Sequence, residues 1–239
     1  RPALHCLYGN LPAVLAGDYL FATAFSLLTK GKKAILYTVT EAIRSMCSGE
    51  ILQLSASAPD INAYYTYIGQ KTAALFSAAC RCGSILGHLK RQQQDCLARF
   101  GWHLGLTYQI IDDFLDLFGC AEKMNKPCRQ DLRRGLYTLP VIRFLQLSPD
   151  APQWQKNIER GLQVDEIEKL SILARKLGCD RYTVEVARGE TSRALAALAE
   201  LPPHPSRDKL ALVVDRVLAT LDKHCLYYTG SAHDLAQPV

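Results

Sequence analysis

Three carboxylates, Asp112, Asp113 and Asp116, stand in the otherwise apolar stretch GLTYQIIDDFLDLFG, residues 105–119, and the nearest lysine or arginine is Arg99 before it or Lys123 after it. Local sequence offers them little counter-charge, so a cation must reach them from elsewhere. On a helix advancing 100° per residue, with Gln109 at zero, Asp112 falls at about −60°, Asp116 at about −20° and Asp113 at about +40°. The four polar groups share an arc of roughly 100°. Leu104, Tyr108, Ile111, Leu115 and Phe118 form the complementary, core-facing stripe. Asp112 and Asp116 are a like-charge i, i+4 pair, and Asp116 lies near a helix end if Gly119 is the stop; each effect opposes the arrangement by some tenths of a kcal/mol. Carboxylates kept against such costs point to a hard cation. Mg²⁺ suits them, because it retains several waters and is commonly shared with substrate phosphates. The plainer alternative is a solvated acidic face. Lys71, beside Thr72 in a helix rich in small residues, and Lys126, in the charged loop after the acidic stretch, are cations for phosphate oxygens, or else ordinary surface lysines.

The elements that must position these groups are helical. Pro12 suits a first helical turn, and apolar residues continue from it to Leu28. Further helices are predicted at about 33–56, 61–88, 92–118, 136–147, 165–177, 181–200 and 207–224. Gly31, Pro59-Asp60, Gly119, Pro149, Gly178 and Pro202-Pro203 punctuate them. No useful period-2 pattern exists, so the fold class is all-α, an antiparallel bundle. Ala73, Ala74, Ser77, Ala78, Ala79 and Gly83 allow close approach of a neighbouring helix or of a long thin ligand. Asp18 is a lone carboxylate within a helix, expected to make a structural contact to a neighbour. Glu50 and Gln53, at i, i+3, are expected to support the site from behind at most.

With 239 residues, 49% of them hydrophobic, one domain over 1–239 is expected. A balance of 28 Lys+Arg to 23 Asp+Glu suits a small anionic ligand or a membrane surface, and no basic cluster interleaved with aromatics supports nucleic acid. Nine scattered cysteines, without paired metal spacing, read as reduced thiols of a cytoplasmic protein. No uncharged apolar run of bilayer-spanning length is expected.

YQIIDDFLDLFG, followed by NKP, DL and TLPVI, resembles the second aspartate-rich region of the trans-polyprenyl diphosphate synthases. GNLPAVLAGDYLFATAF, GEILQL and KTAALFSAACRCGSIL are similar to that family's other signatures, in the same order, so that the likeness runs from Arg1 to about Leu221. The resemblance implies an all-α prenyltransferase bundle around a central cavity, a Mg²⁺-dependent dimer that elongates an allylic diphosphate with isopentenyl diphosphate to a medium- or long-chain product passed to a membrane. It implies Asp112 and Asp116 as metal ligands or water-bridged partners, with Asp113 supporting them. It implies Lys71 and Lys126 as diphosphate contacts, and Thr72 and Gln109 beside the reacting carbon.

The family's first aspartate-rich motif and its Arg-Arg-Gly segment belong upstream of Arg1, so the resemblance predicts an N-terminally truncated synthase domain, inactive alone. Asp165, Glu166 and Glu168 have solvated-face spacing and do not replace that motif. Leu136 stands where some relatives carry a lysine, and Arg133 and Arg134 are expected in a solvated loop. The other readings are a non-catalytic or partner-dependent subunit of a heterodimeric synthase, and a terpene cyclase on the same fold.

Overall fold

The computed structural model describes residues 2–56, 58–119 and 128–229, the side chains of 222–229 excepted. Its helices are α1 Leu4–Tyr8, α2 Asn10–Leu28, α3 Lys33–Ser55, α4 Ile61–Ile68, α5 Ala74–Leu86, α6 Arg91–Phe118, α7 Gln130–Arg133, α8 Leu139–Leu147, α9 Ala151–Glu159, α10 Val164–Lys176, α11 Cys179–Ala199 and α12 Pro205–Thr229. A π-helical segment, Gly69–Ala73, joins α4 to α5. There is no strand among the described residues, and the all-α expectation is met.

Capping chemistry explains several boundaries. Asp60 accepts a hydrogen bond from the Asn62 backbone N–H at 2.9 Å and so starts α4. The α8 helix begins at Leu139 rather than at 136, because Thr138 is extended (φ −83°, ψ 166°) and Pro140 occupies the first turn. The α9 helix was not expected, since only Trp154 and Ile158, one turn apart, anchor it to the core. Glu166, rather than simply facing solvent, caps α10 by accepting from Gln163 N at 2.9 Å and pairs with Arg160.

The α6 helix runs through the middle of the bundle, about 42 Å long at 1.5 Å per residue. One apolar cluster surrounds its C-terminal half and includes α4, α8, α9 and α10; a second joins its N-terminal half to α11 and α12. The one-sided stripe expected for α6 is corrected on two counts. Ile110, Phe114 and Leu117 are buried as well as Ile111, Leu115 and Phe118, because neighbours pack on several sides. Tyr108 is 49% exposed.

The α2 helix corrects the expectation for Asp18. Its 19 residues reach a mean hydropathy of 1.5, enough by length and composition to cross a membrane, because Asp18 is its only charge. No residue of α2 is buried, and Asp18, expected to meet a neighbouring helix, is exposed. The described cysteines are all free thiols.

Close approach of the helices depends on glycines of the partner helices as much as on the small residues of α5. A Cβ at Gly105 of α6 would lie 2.6 Å from the Ala73 Cα, and one at Gly49 of α3 would lie 2.4 Å from the Lys71 backbone nitrogen. Ala79 and Gly83, counted among the close-contact residues in the sequence, are exposed. Gly49→Ala is therefore expected to cost about 1–3 kcal/mol by overpacking, despite alanine's better helix propensity. Chemical denaturation measures it; an unchanged or raised unfolding midpoint would show that α3 and the π-helical segment can separate freely.

Candidate active site

Neighbouring residues of a helix point about 100° apart, and the π-helical segment uses this to serve two partners at once. Lys71 faces α3, where its Nζ donates to Gln53 Oε1 at 2.6 Å and pairs with Glu50 Oε2 at 2.9 Å. Thr72 faces α6, and its hydroxyl donates to Gln109 Oε1 at 2.6 Å. Gln109 Nε2 in turn donates to Asp113 Oδ1 at 2.9 Å, and Tyr64 of α4 donates its hydroxyl to Asp113 Oδ2 at 2.7 Å. One polar chain thus crosses from the π-helical segment to the acidic helix and on to α4.

The three aspartates have three different surroundings. Asp113 is buried, in the angular gap next to Ile110 and Leu117 where α4 packs, so it turns into the bundle instead of lining an open face. Burial first, and then the charge of Asp131, push its carboxyl up to about 7, against the opposing hydrogen bonds from Gln109 and Tyr64. Asp116 is half-buried, and its two oxygens accept the backbone N–H groups of Gln130 and Asp131, each at 3.0 Å. Its backbone carbonyl accepts from Arg129 N at 2.6 Å, which holds Arg129 in the left-handed region at φ 63°. Asp116, expected as a metal ligand, thus clamps the start of α7 in this structure. Asp112 is half-buried and borders a cavity of about 250 Å³ with Tyr108, Leu115, Arg216 and Thr220.

That clamp brings in Asp131, which the sequence offered only as part of a signature. Burial and the neighbouring charge of Asp116 raise its carboxyl to about 6, while Lys71 opposes the rise. Asp112, Asp113, Asp116 and Asp131 therefore form one region of negative potential. Among the described residues, no three His, Cys, Asp or Glu side chains converge on a single point as a ready-made ligand set. An oxygen-donor set that crowds negative charge, with Lys71 at its edge, fits a hydrated divalent cation completed by other oxygen ligands.

Of the expected residues the structure joins Thr72, Gln109 and Asp113 in one hydrogen-bonded chain with Lys71 next to Thr72, while Asp112 borders the cavity beside α12 and Asp116 holds the start of α7; Lys126 lies outside the described residues. Sequence reasoning missed Tyr64, while Glu50 and Gln53 stand behind Lys71, the supporting position read for them from their i, i+3 spacing. Leu136 is buried, so that position is core here, and Arg133 and Arg134 are exposed as expected.

The polyprenyl synthetase family model matches residues 1–173. This chain belongs to the polyprenyl synthetase family. Over 216 residues it is 34% identical to the octaprenyl diphosphate synthase of Escherichia coli K12, an alignment covering 88% of this chain and 67% of that protein. The crystal structure of a decaprenyl diphosphate synthase from Rhodobacter capsulatus superposes with a TM-score of 0.84 at 36% identity, over 92% of this chain and 70% of that one. A polyprenyl synthase from Caulobacter crescentus, crystallised with calcium and isoprenyl diphosphate, gives 0.83 at 30% identity, over 89% and 67% of the two chains. Membership puts this polyprenyl synthetase among the prenyltransferases of isoprenoid biosynthesis.

Folding raises the pKa of Asp113, so the folded, metal-free chain holds that proton more tightly than the unfolded chain does. The group's favourable contribution is complete below about pH 4 and is lost as pH rises through about 7. Asp113→Asn, which keeps an acceptor for Gln109 and a polar partner for Tyr64, is expected to be more stable than wild type at pH 8 in EDTA, by on the order of 1–4 kcal/mol. The advantage should vanish near pH 4. Urea unfolding at the two pH values checks it, and a pH-independent difference would contradict it.

Proposed function

We propose that this chain elongates an allylic diphosphate with isopentenyl diphosphate to a trans-polyprenyl diphosphate, using Mg²⁺. The observation that carries this reading is the hydrogen-bonded chain Thr72–Gln109–Asp113, set between Lys71 and the acidic cluster. Cleaving an allylic carbon–oxygen bond leaves a delocalised carbocation and a diphosphate with added negative charge. The site must therefore offer positive charge at one end and dry, electron-rich groups at the other.

In this reading Asp112 and Asp116 hold the metal, directly or through water, with Asp113 supporting them and Asp131 beside them. Bound with the substrate, Mg²⁺ supplies neutralisation of the charge that grows on the departing diphosphate. The calcium and isoprenyl diphosphate in the Caulobacter relative support a divalent ion in this family. Lys71 turns from Glu50 and Gln53 to the diphosphate oxygens, an exchange of one set of anionic or carbonyl partners for another. Lys126 contributes a second cation. Thr72 and Gln109 line the side of the reacting carbon, and apolar helix faces keep water from the cation and accommodate the growing tail.

We infer a dimer from the apolar α2 surface, since a helix of this hydropathy with no buried residue favours a covering partner. The reduced cysteines favour the cytoplasm, with the product passed on to a membrane. A non-catalytic subunit is disfavoured, because burying Asp113 among hydrogen-bond donors gives the fold nothing that a leucine there would not. A terpene cyclase would use the same metal but consume no isopentenyl diphosphate.

Asp112→Ala in the natural full-length polypeptide is expected to lower Mg²⁺-dependent incorporation of labelled isopentenyl diphosphate by at least 100-fold, with the helical circular-dichroism spectrum unchanged. Undiminished incorporation would remove the metal role of the acidic helix. Wild-type turnover of an allylic diphosphate without isopentenyl incorporation would point to the cyclase. Light scattering of the same protein tests the dimer: a monomer mass at micromolar concentration would remove it.

A further inference from the structure

Tyr64 is 0% exposed, yet its hydroxyl reaches the candidate site by donating to Asp113 Oδ2 at 2.7 Å. In its ionised form the Asp113 carboxylate only accepts hydrogen bonds, and both of its partners then present N–H or O–H groups. With Tyr64 on Oδ2, the Gln109 amide places its Nε2 on Oδ1 and turns its carbonyl Oε1 to Thr72. Thr72 has a single hydroxyl proton, and that proton is spent on Gln109 Oε1. The direction of donation is therefore uniform from Thr72 through Gln109 to Asp113, and Tyr64 closes the far end. What Thr72 Oγ1 can offer to anything else is lone pairs. A diphosphate oxygen, which needs a donor, gains nothing from it, whereas a carbon developing positive charge does.

We propose that Tyr64 is a positioning residue for prenyl transfer: by locking the Asp113 carboxylate together with Gln109, it fixes the orientation of the Gln109 amide and so presents Thr72 to the allylic carbon as an acceptor only. The inference rests on the prenyl-transfer reading above and adds to it a residue on α4 that touches neither substrate nor metal. The location of Tyr64 supports the role. Ring contacts with Tyr65 and Tyr67, at centroid distances of 5.7 and 5.4 Å, leave the phenol little freedom to turn away from Asp113.

The test uses the natural full-length polypeptide and two readouts. In steady-state kinetics, Tyr64→Phe is expected to lower kcat for isopentenyl transfer about tenfold with both KM values within about twofold, because the effect is exerted on the transition state. The double variant Tyr64→Phe/Thr72→Val should be no slower than Thr72→Val alone, since both substitutions break one chain. The second readout is independent of turnover: the Gln109 side-chain amide, assigned by its disappearance in Gln109→Glu, should exchange its protons with solvent slowly in the wild type and at least tenfold faster in Tyr64→Phe. Multiplicative losses in the double variant, or equal amide exchange in wild type and Tyr64→Phe, would overturn the role of Tyr64 while leaving the transfer reading in place. A wild type without isopentenyl transfer would overturn both. Should Tyr64→Phe fail to fold, rapid exchange of the Gln109 amide in the wild type is by itself enough to refute the lock, and slow exchange supports it.

Discussion

A carboxylate buried in the middle of α6 constrains most of what surrounds it. An ionised Asp113 without donors would be too costly to keep in an apolar bundle, and hydrogen bonds to a charged group contribute about 1.5–3 kcal/mol each. Tyr64 and Gln109 meet that requirement from two different helices. Supplying the Tyr64 donor brings α4 against α6, and supplying the Gln109 donor orients an amide that then fixes Thr72. The α4 helix, the Gln109 amide and the π-helical segment are thus linked through one buried carboxyl.

The π-helical segment answers a geometric problem. Two adjacent residues, Lys71 and Thr72, must serve α3 and α6 on two sides of one segment. Gly49 and Gly105 permit this, since a Cβ at either would lie well inside van der Waals contact distance of a backbone atom opposite. Chemistry and packing are joined here: the approach that places Gln53 and Glu50 on Lys71 is the same approach that leaves no room at Gly49.

Charge is organised by a similar economy. Asp116 stabilises the start of α7 with both carboxylate oxygens and thereby draws Asp131 toward Asp113. Anions brought this close raise one another's affinity for protons, and a divalent cation would relieve the same repulsion. Lys71 is held by Glu50 and Gln53 at the margin of the cluster.

Periodicity and composition alone determined the all-α class, most of the helices and the polar arc of α6, because these depend on the spacing of residues a few positions apart. The ordered signatures likewise pointed to Lys71, Thr72, Gln109 and the aspartates, since each signature is a local string. The boundaries of α8 and the existence of α9 were less legible, as one depends on an extended Thr138 ahead of Pro140 and the other on only two core anchors. What the tertiary structure decided is which polar groups meet. Tyr64 and Asp113 are 49 positions apart, and Lys71 and Gln53 are 18 apart, distances over which no helical period carries information. The exposure of Tyr108, the burial of Asp113 and the clamp role of Asp116 follow from which helices pack on α6 and where, and that is set by the summed contacts of the bundle rather than by any stretch of its sequence.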